Sequence, residues 1–144
     1  MRFMILVKAD RNSEAGIMPD QSLLAAMGKY NETLVKAGVL LAAEGLHPSA
    51  KGARVKFSRG SQTVTDGPFN NAGAGDAGEL LAGFWLIQVS SKAEAIEWVK
   101  RCPMDGGTEL EIRQVFEADD FGAELTPALK QQEADLRTRL ATRH

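Results

Sequence analysis

The sequence predicts an α+β domain in which two amphipathic helices cover one face of a mostly antiparallel sheet. Three observations carry that expectation. Short β-patterned runs and longer segments of helical period follow one another in the order β-α-β-β-β-β-α-β, which folds most simply as strands of one sheet with helices on one side. Both helical segments have a single apolar stripe. The most apolar run, residues 80–89 (LLAGFWLIQV is its core from 80 on), falls between a hairpin and the second helix and reads as a central strand.

Taken in order, residues 2–9 form a short apolar run with β-branched members, ended by the polar cluster at 10–14, and predict a buried strand. Residues 20–37 place Leu23, Leu24, Met27, Tyr30, Leu34 and Val35 at helical spacing, with Asp20 in the first turn and Gly38 as terminator. A strand over 39–44 closes at Gly45 and the Leu46-His47-Pro48-Ser49 turn. Residues 53–58 alternate, with Val55 and Phe57 opposed to Arg54, Lys56 and Ser58. Arg59-Gly60 makes a turn and 62–65 run back with Val64 inward, which predicts a hairpin with one wet face. Ser90 or Ser91 caps the second helix with Glu94 nearby, Cys102-Pro103 ends it, and residues 108–116 alternate as a last strand. This layout is ferredoxin-like. Phe84, Leu86, Phe57 and Val55 make the uncovered sheet face apolar, so it calls for a second copy and a two-fold dimer of the α/β-barrel type. Residues 1–120 make the domain. The tail at 121–144 is a helical extension, with Leu125, Leu129, Leu136 and Leu140 on one stripe, expected to pack on the domain or its dimer partner.

Composition narrows the function classes. A net charge of −2 lacks the basic footprint that recruits a phosphate backbone, so nucleic acid is not an expected partner. The single cysteine, Cys102, forms no internal disulfide and suits a reducing, cytoplasmic setting. The opening residues lack a signal-peptide pattern and no run is long enough to span a bilayer, so no membrane role is expected. No cofactor motif stands in a convincing context. Gly73-Ala74-Gly75-Asp76-Ala77-Gly78 matches G-x-G-x-x-G but precedes a strand, without the surrounding βαβ unit a dinucleotide needs, and reads as a linker or flap. A metal site would have only His47, Asp66, Glu44 and Glu79 to draw on, and none is expected.

Three blocks carry a resemblance. They are Val39 to Ala50 (VLLAAEGLHPSA), Val64 to Phe69 (VTDGPF) and Leu81 to Ile87 (LAGFWLI). In this order and spacing, over residues 1–117, the chain closely resembles the YCII-related proteins of the DGPF type. The resemblance implies a dimeric ferredoxin-like fold. It also implies a family largely without assigned function, some of whose members occur near or fused to sigma-factor-type transcription regulators, and whose wider superfamily uses a His–Asp pair in a cleft. The chain departs from the pattern after D-G-P-F. Where the family continues A-E-T-K-E, residues 70–78 read NNAGAGDAG before Glu79, so the family's lysine and first acid are absent and Glu79 matches the second.

The residues themselves offer a modest chemistry. Histidine is the side-chain type that titrates near neutrality, and His47 is one of two, the other being His144, so His47 is the first candidate for proton transfer. The alternative is a surface histidine of the turn. Asp66 is either an Asx-type turn former or a carboxylate aimed by a rigid turn, in which Gly67 frees the backbone and Pro68 stiffens it. Glu44, at a strand end, is either solvated or in a pocket. A pairing of His47 with Asp66 or Glu44 is the sharpest enzyme hypothesis, and Phe69, Glu79 and Tyr30 are the candidate substrate contacts. The competing hypothesis is a ligand-binding or regulatory module acting with a transcription-related partner. Trp85, Trp98 and Cys102 read as packing residues.

Overall fold

The computed structural model describes residues 1–69, 80–104 and 106–143. The chain divides into two compact units, Met1–Gln114 and Val115–His144. The first unit runs β1 (Arg2–Lys8), α1 (Arg11–Glu14), α2 (Gln21–Lys36), β2 (Leu40–Gly45), β3 (Ala53–Ser58), β4 (Ser61–Asp66), β5 (Leu81–Gln88), α3 (Lys92–Lys100) and β6 (Leu110–Gln114). Four strands form one sheet in the order β2-β5-β1-β6, every neighbouring pair antiparallel. Each helix thus connects two strands that have a third strand between them, the split β-α-β arrangement of a ferredoxin-like layout.

Register explains the layering. Phe3 faces Ile87 and Ile5 faces Trp85 across β1 and β5, and all four are buried. They share a sheet face with Val7, Leu110 and Ile112, because side chains alternate with period two. Onto this face pack Met27, Tyr30 and Leu34 of α2, and Ala95, Trp98 and Val99 of α3. Leu34 is 1% exposed and Ala95 0%. Leu24 and Val35, expected on the apolar stripe, are exposed. Each is one residue, or about 100°, past a stripe member, and so turns away from the sheet.

Helix ends follow the local chemistry. Asp20 accepts the Leu23 N–H and caps α2, while Gly38, at φ +74°, takes the left-handed turn that ends it. Ser91 accepts the Glu94 N–H at the start of α3, and Glu94 reaches back to the N–H and hydroxyl of Ser90. The short α1, expected only as a polar cluster, is closed by a reciprocal Asp10–Ser13 capping box.

The hairpin departs from expectation. Among the described residues β3 and β4 pair only with each other, as a separate two-stranded sheet, so Val55 and Phe57 do not extend the apolar face of the main sheet. Val64 does not point inward: Val55, Val64 and Phe57 are 50%, 64% and 75% exposed. Alternation tells which side chains share a face, but not whether anything in the chain lies against that face.

The second unit contains a 3-10 segment, Ala118–Glu124, broken at Gly122 (φ +70°), and α4 (Pro127–Ala141), started by a Thr126 cap and Pro127. Its Phe116 and Phe121 rings meet at 5.1 Å, and Leu129, Leu136 and Leu140 are exposed along α4. Among the described residues no helix is long and apolar enough to cross a membrane.

Candidate functional site

The D-G-P-F turn is fastened to the loop after β2. β4 ends at Asp66, and the Gly67–Pro68 peptide is cis. Gly67 donates its N–H to the Gly52 carbonyl at 2.9 Å, and a Cβ placed on it would collide with the Ser49 carbonyl oxygen. The glycine is therefore required by close backbone approach. Its φ is not positive, so the conformational freedom expected of it is not the reason. The Phe69 N–H donates to Ser49 Oγ at 3.0 Å. Ser49 in turn donates its hydroxyl to Glu14 Oε2 at 2.6 Å and its N–H to Oε1 at 3.1 Å. The Arg54 guanidinium covers the Phe69 ring at 4.0 Å. One carboxylate on a four-residue helix thus holds the loop bearing His47 and, through Ser49, the turn bearing Asp66.

Among the described residues the three catalytic candidates, at the end of β2, on the loop after it and at the end of β4, form no pair. His47 is exposed and makes no hydrogen bond or ion pair with any described residue. The Asp66 carboxylate is exposed as well and accepts no described N–H; the turn is held by Ser49 and Gly52 rather than by an Asx-type bond. Glu44 lies opposite Phe84, on the sheet face turned away from α2 and α3. Phe84 lies opposite Leu6, and Leu6 opposite Glu111, so one row across that face reads Glu44, Phe84, Leu6, Glu111. The next row sets Met4 between Leu86 and Arg113. The result is an apolar floor, half-buried at Met4, Leu6, Phe84 and Leu86, with carboxylates at its two edges.

Glu111 is tied down where Glu44 is not. Lys8 Nζ sits 3.0 Å from one of its oxygens and Arg113 3.2 Å from the other, and these donors hold its carboxyl below the ordinary glutamate range. Lys8 and Glu111 were not singled out in the sequence. The signal was present, since Glu111 stands on the polar phase of its strand and Leu6 on the off-core phase of its own.

Tyr30 belongs to the other side. Its ring meets the core-facing Trp85 edge-on at 5.8 Å, and its hydroxyl donates to the Trp98 carbonyl at 2.8 Å. Burial pushes its pKa up to about 12. It cannot touch a ligand resting on the far face, and the sequence could not say so because helical period alone does not show which way a mid-stripe hydroxyl leans. Cys102 packs against the core, and burial raises its thiol to about 11, in keeping with a packing role. Phe69 is half-buried beneath Arg54. Glu79, the Asn70–Gly78 segment and its G-x-G-x-x-G match lie outside the described residues. Among the described residues no three His, Cys, Asp or Glu side chains are grouped to hold a metal ion.

A four-stranded antiparallel sheet of this order, helices on one face and a half-buried apolar floor on the other, defines a ferredoxin-like α+β domain. The model of the YCII-related domain matches residues 1–119, and the chain belongs to that family. No curated protein matches it.

Proposed function

We propose that this chain, a YCII-related protein of the DGPF type, is a small cytoplasmic enzyme that binds a polar small molecule over the far face of its sheet and moves a proton on it. The observation that carries this reading is the row Glu44, Phe84, Leu6, Glu111, which sets an apolar floor between carboxylates. Clefts of that make-up, mostly apolar with a few polar groups, are how small ligands are held and oriented. His47, on the loop that leaves β2, supplies the proton-transfer group, and Asp66 or Glu44 orients the imidazole once the ligand draws them together. The cleft is closed by a second copy in a two-fold dimer of the α/β-barrel type. The half-buried floor and the exposed apolar hairpin side chains support that assembly.

The test is a thermal-shift screen of small carbonyl and carboxylate metabolites against wild type, Glu44→Gln, Asp66→Ala and His47→Ala. The expected result is a stabilised wild type, less stabilisation in Glu44→Gln and Asp66→Ala, and a His47→Ala protein that binds but does not turn the ligand over. A ligand that binds all four proteins alike would sink the site. Binding without turnover in wild type would instead favour a ligand-binding or regulatory module. The exposed leucines of α4 favour that second reading in its partner-binding form. Recovery of a transcription regulator by the intact chain, lost in Leu136→Asp, is its check.

A further inference from the structure

On the outer side of the layer formed by α2 and α3 there is an open groove of about 380 Å³. Its lining is mostly apolar, with Tyr30 and Trp98 as the aromatic members and Ala26 and Pro103 among the rest. Two cations belong to the same lining, Lys29 from α2 and Arg101 from the end of α3, and among the described residues no carboxylate does. The Arg101 guanidinium is stacked 4.5 Å from the centre of the Trp98 ring, which fixes its plane and leaves its N–H edge available.

The acids described on α2 and α3 are engaged elsewhere. Glu32 pairs with Lys36 at 3.1 Å and Glu97 with Lys100 at 3.2 Å. Glu94 holds Ser90 and is not part of the lining. Among the described residues Lys29 and Arg101 have no carboxylate partner, unlike Lys8, Lys36, Lys100, Lys130, Arg113 and Arg137. Two carbonyls of the helix end beside them are already engaged. The Trp98 carbonyl already takes the Arg101 N–H and the Tyr30 hydroxyl, and the Val99 carbonyl takes the Cys102 N–H.

We propose that this groove is a second ligand site, separate from the far face, for a small carboxylate with a flat apolar body. The body lies along Tyr30 and the part of Trp98 that Arg101 leaves open, and the carboxylate sits between Lys29 and Arg101. A planar acid satisfies both halves of the groove at once, since the guanidinium fork matches a carboxylate and the ring surface matches an apolar plane. A neutral compound of the same shape gains only the second half.

The probe is benzoate, with benzamide as its uncharged counterpart, titrated into the full chain while the two indole N–H signals are followed by NMR. Trp85 is the internal reference, because its indole is held by Asn31 at 2.7 Å, inside the core. Benzoate should move the Trp98 signal saturably and leave that of Trp85 in place. Benzamide should bind about tenfold more weakly, and Arg101→Gln and Lys29→Gln should each weaken benzoate by about tenfold, as expected for loss of a charge-assisted contact. Both variants alter exposed side chains, so an otherwise native spectrum shows that the fold is kept. The site is refuted by an unresponsive Trp98 signal, by benzamide binding as well as benzoate, or by native-like charge variants that bind benzoate as wild type does.

Discussion

Ser49 joins two loops through a single hydroxyl, which accepts from Phe69 and donates to Glu14. Ser49→Ala leaves the half-buried Phe69 N–H without its acceptor, at a cost of about 1–2 kcal/mol in denaturant unfolding. Faster hydrogen exchange at the Phe69 amide should accompany it. Gly67→Ala should cost more, on the order of 3 kcal/mol, because the obstacle to the new methyl is the Ser49 backbone rather than a movable side chain. A change below ~0.5 kcal/mol, the size of an ordinary surface substitution, would show that the two loops are not in contact. Two half-buried weak acids give a pH dependence of definite sign. Tyr30 and Cys102 both have raised folded pKa values, about 12 and about 11, so the fold favours their neutral forms. Their contribution is complete below the unfolded values and fades as pH climbs through the range from about 9 to 12. Urea midpoints should fall across that range, and Tyr30→Phe should flatten the fall. Glu111 works in the opposite sense, since its lowered carboxyl contributes above the ordinary glutamate range and ceases to do so as pH drops below it.

Among the elements, α3 shows how local chemistry and packing reinforce one another. Ser91 caps its first turn, Glu94 secures Ser90, and a fully buried alanine lets the helix sit close on the sheet. Ser91→Ala should cost about 1 kcal/mol, read as a lowered midpoint with an unchanged denaturant slope. The β3–β4 hairpin is the opposite case. Among the described residues its strands pair with each other alone, and Val55, Val64 and Phe57 stay half or more exposed. On an isolated chain Phe57→Ser should therefore shift stability by less than ~0.5 kcal/mol.

For the whole molecule, that same substitution separates the monomer from the proposed dimer. If a second copy covers the hairpin, the wild-type melting temperature rises with protein concentration and Phe57→Ser removes the dependence. Gel filtration at the monomer mass down to low micromolar protein, with a concentration-independent melt, would defeat the dimer.

The order of strands and helices, the Asp20 and Ser91 ends, the Gly38 terminator and the ferredoxin-like layout were all legible in the sequence, because periodicity and capping act within a few residues. So was the hairpin with its turn at Arg59-Gly60. The sequence also brought forward Glu44, His47 and Asp66, which stand at the end of β2, on the loop after it and at the end of β4. Tertiary structure alone decided the rest. It detached the hairpin from the sheet, turned Tyr30 toward the helix side, and set Glu44 and Glu111 on one row although they come from strands at opposite edges. It also made Glu14 and Ser49 the fastening of the D-G-P-F turn. Each of these depends on pairing between segments distant in the chain, where a one-residue change of register would exchange the faces, and no local pattern encodes that register.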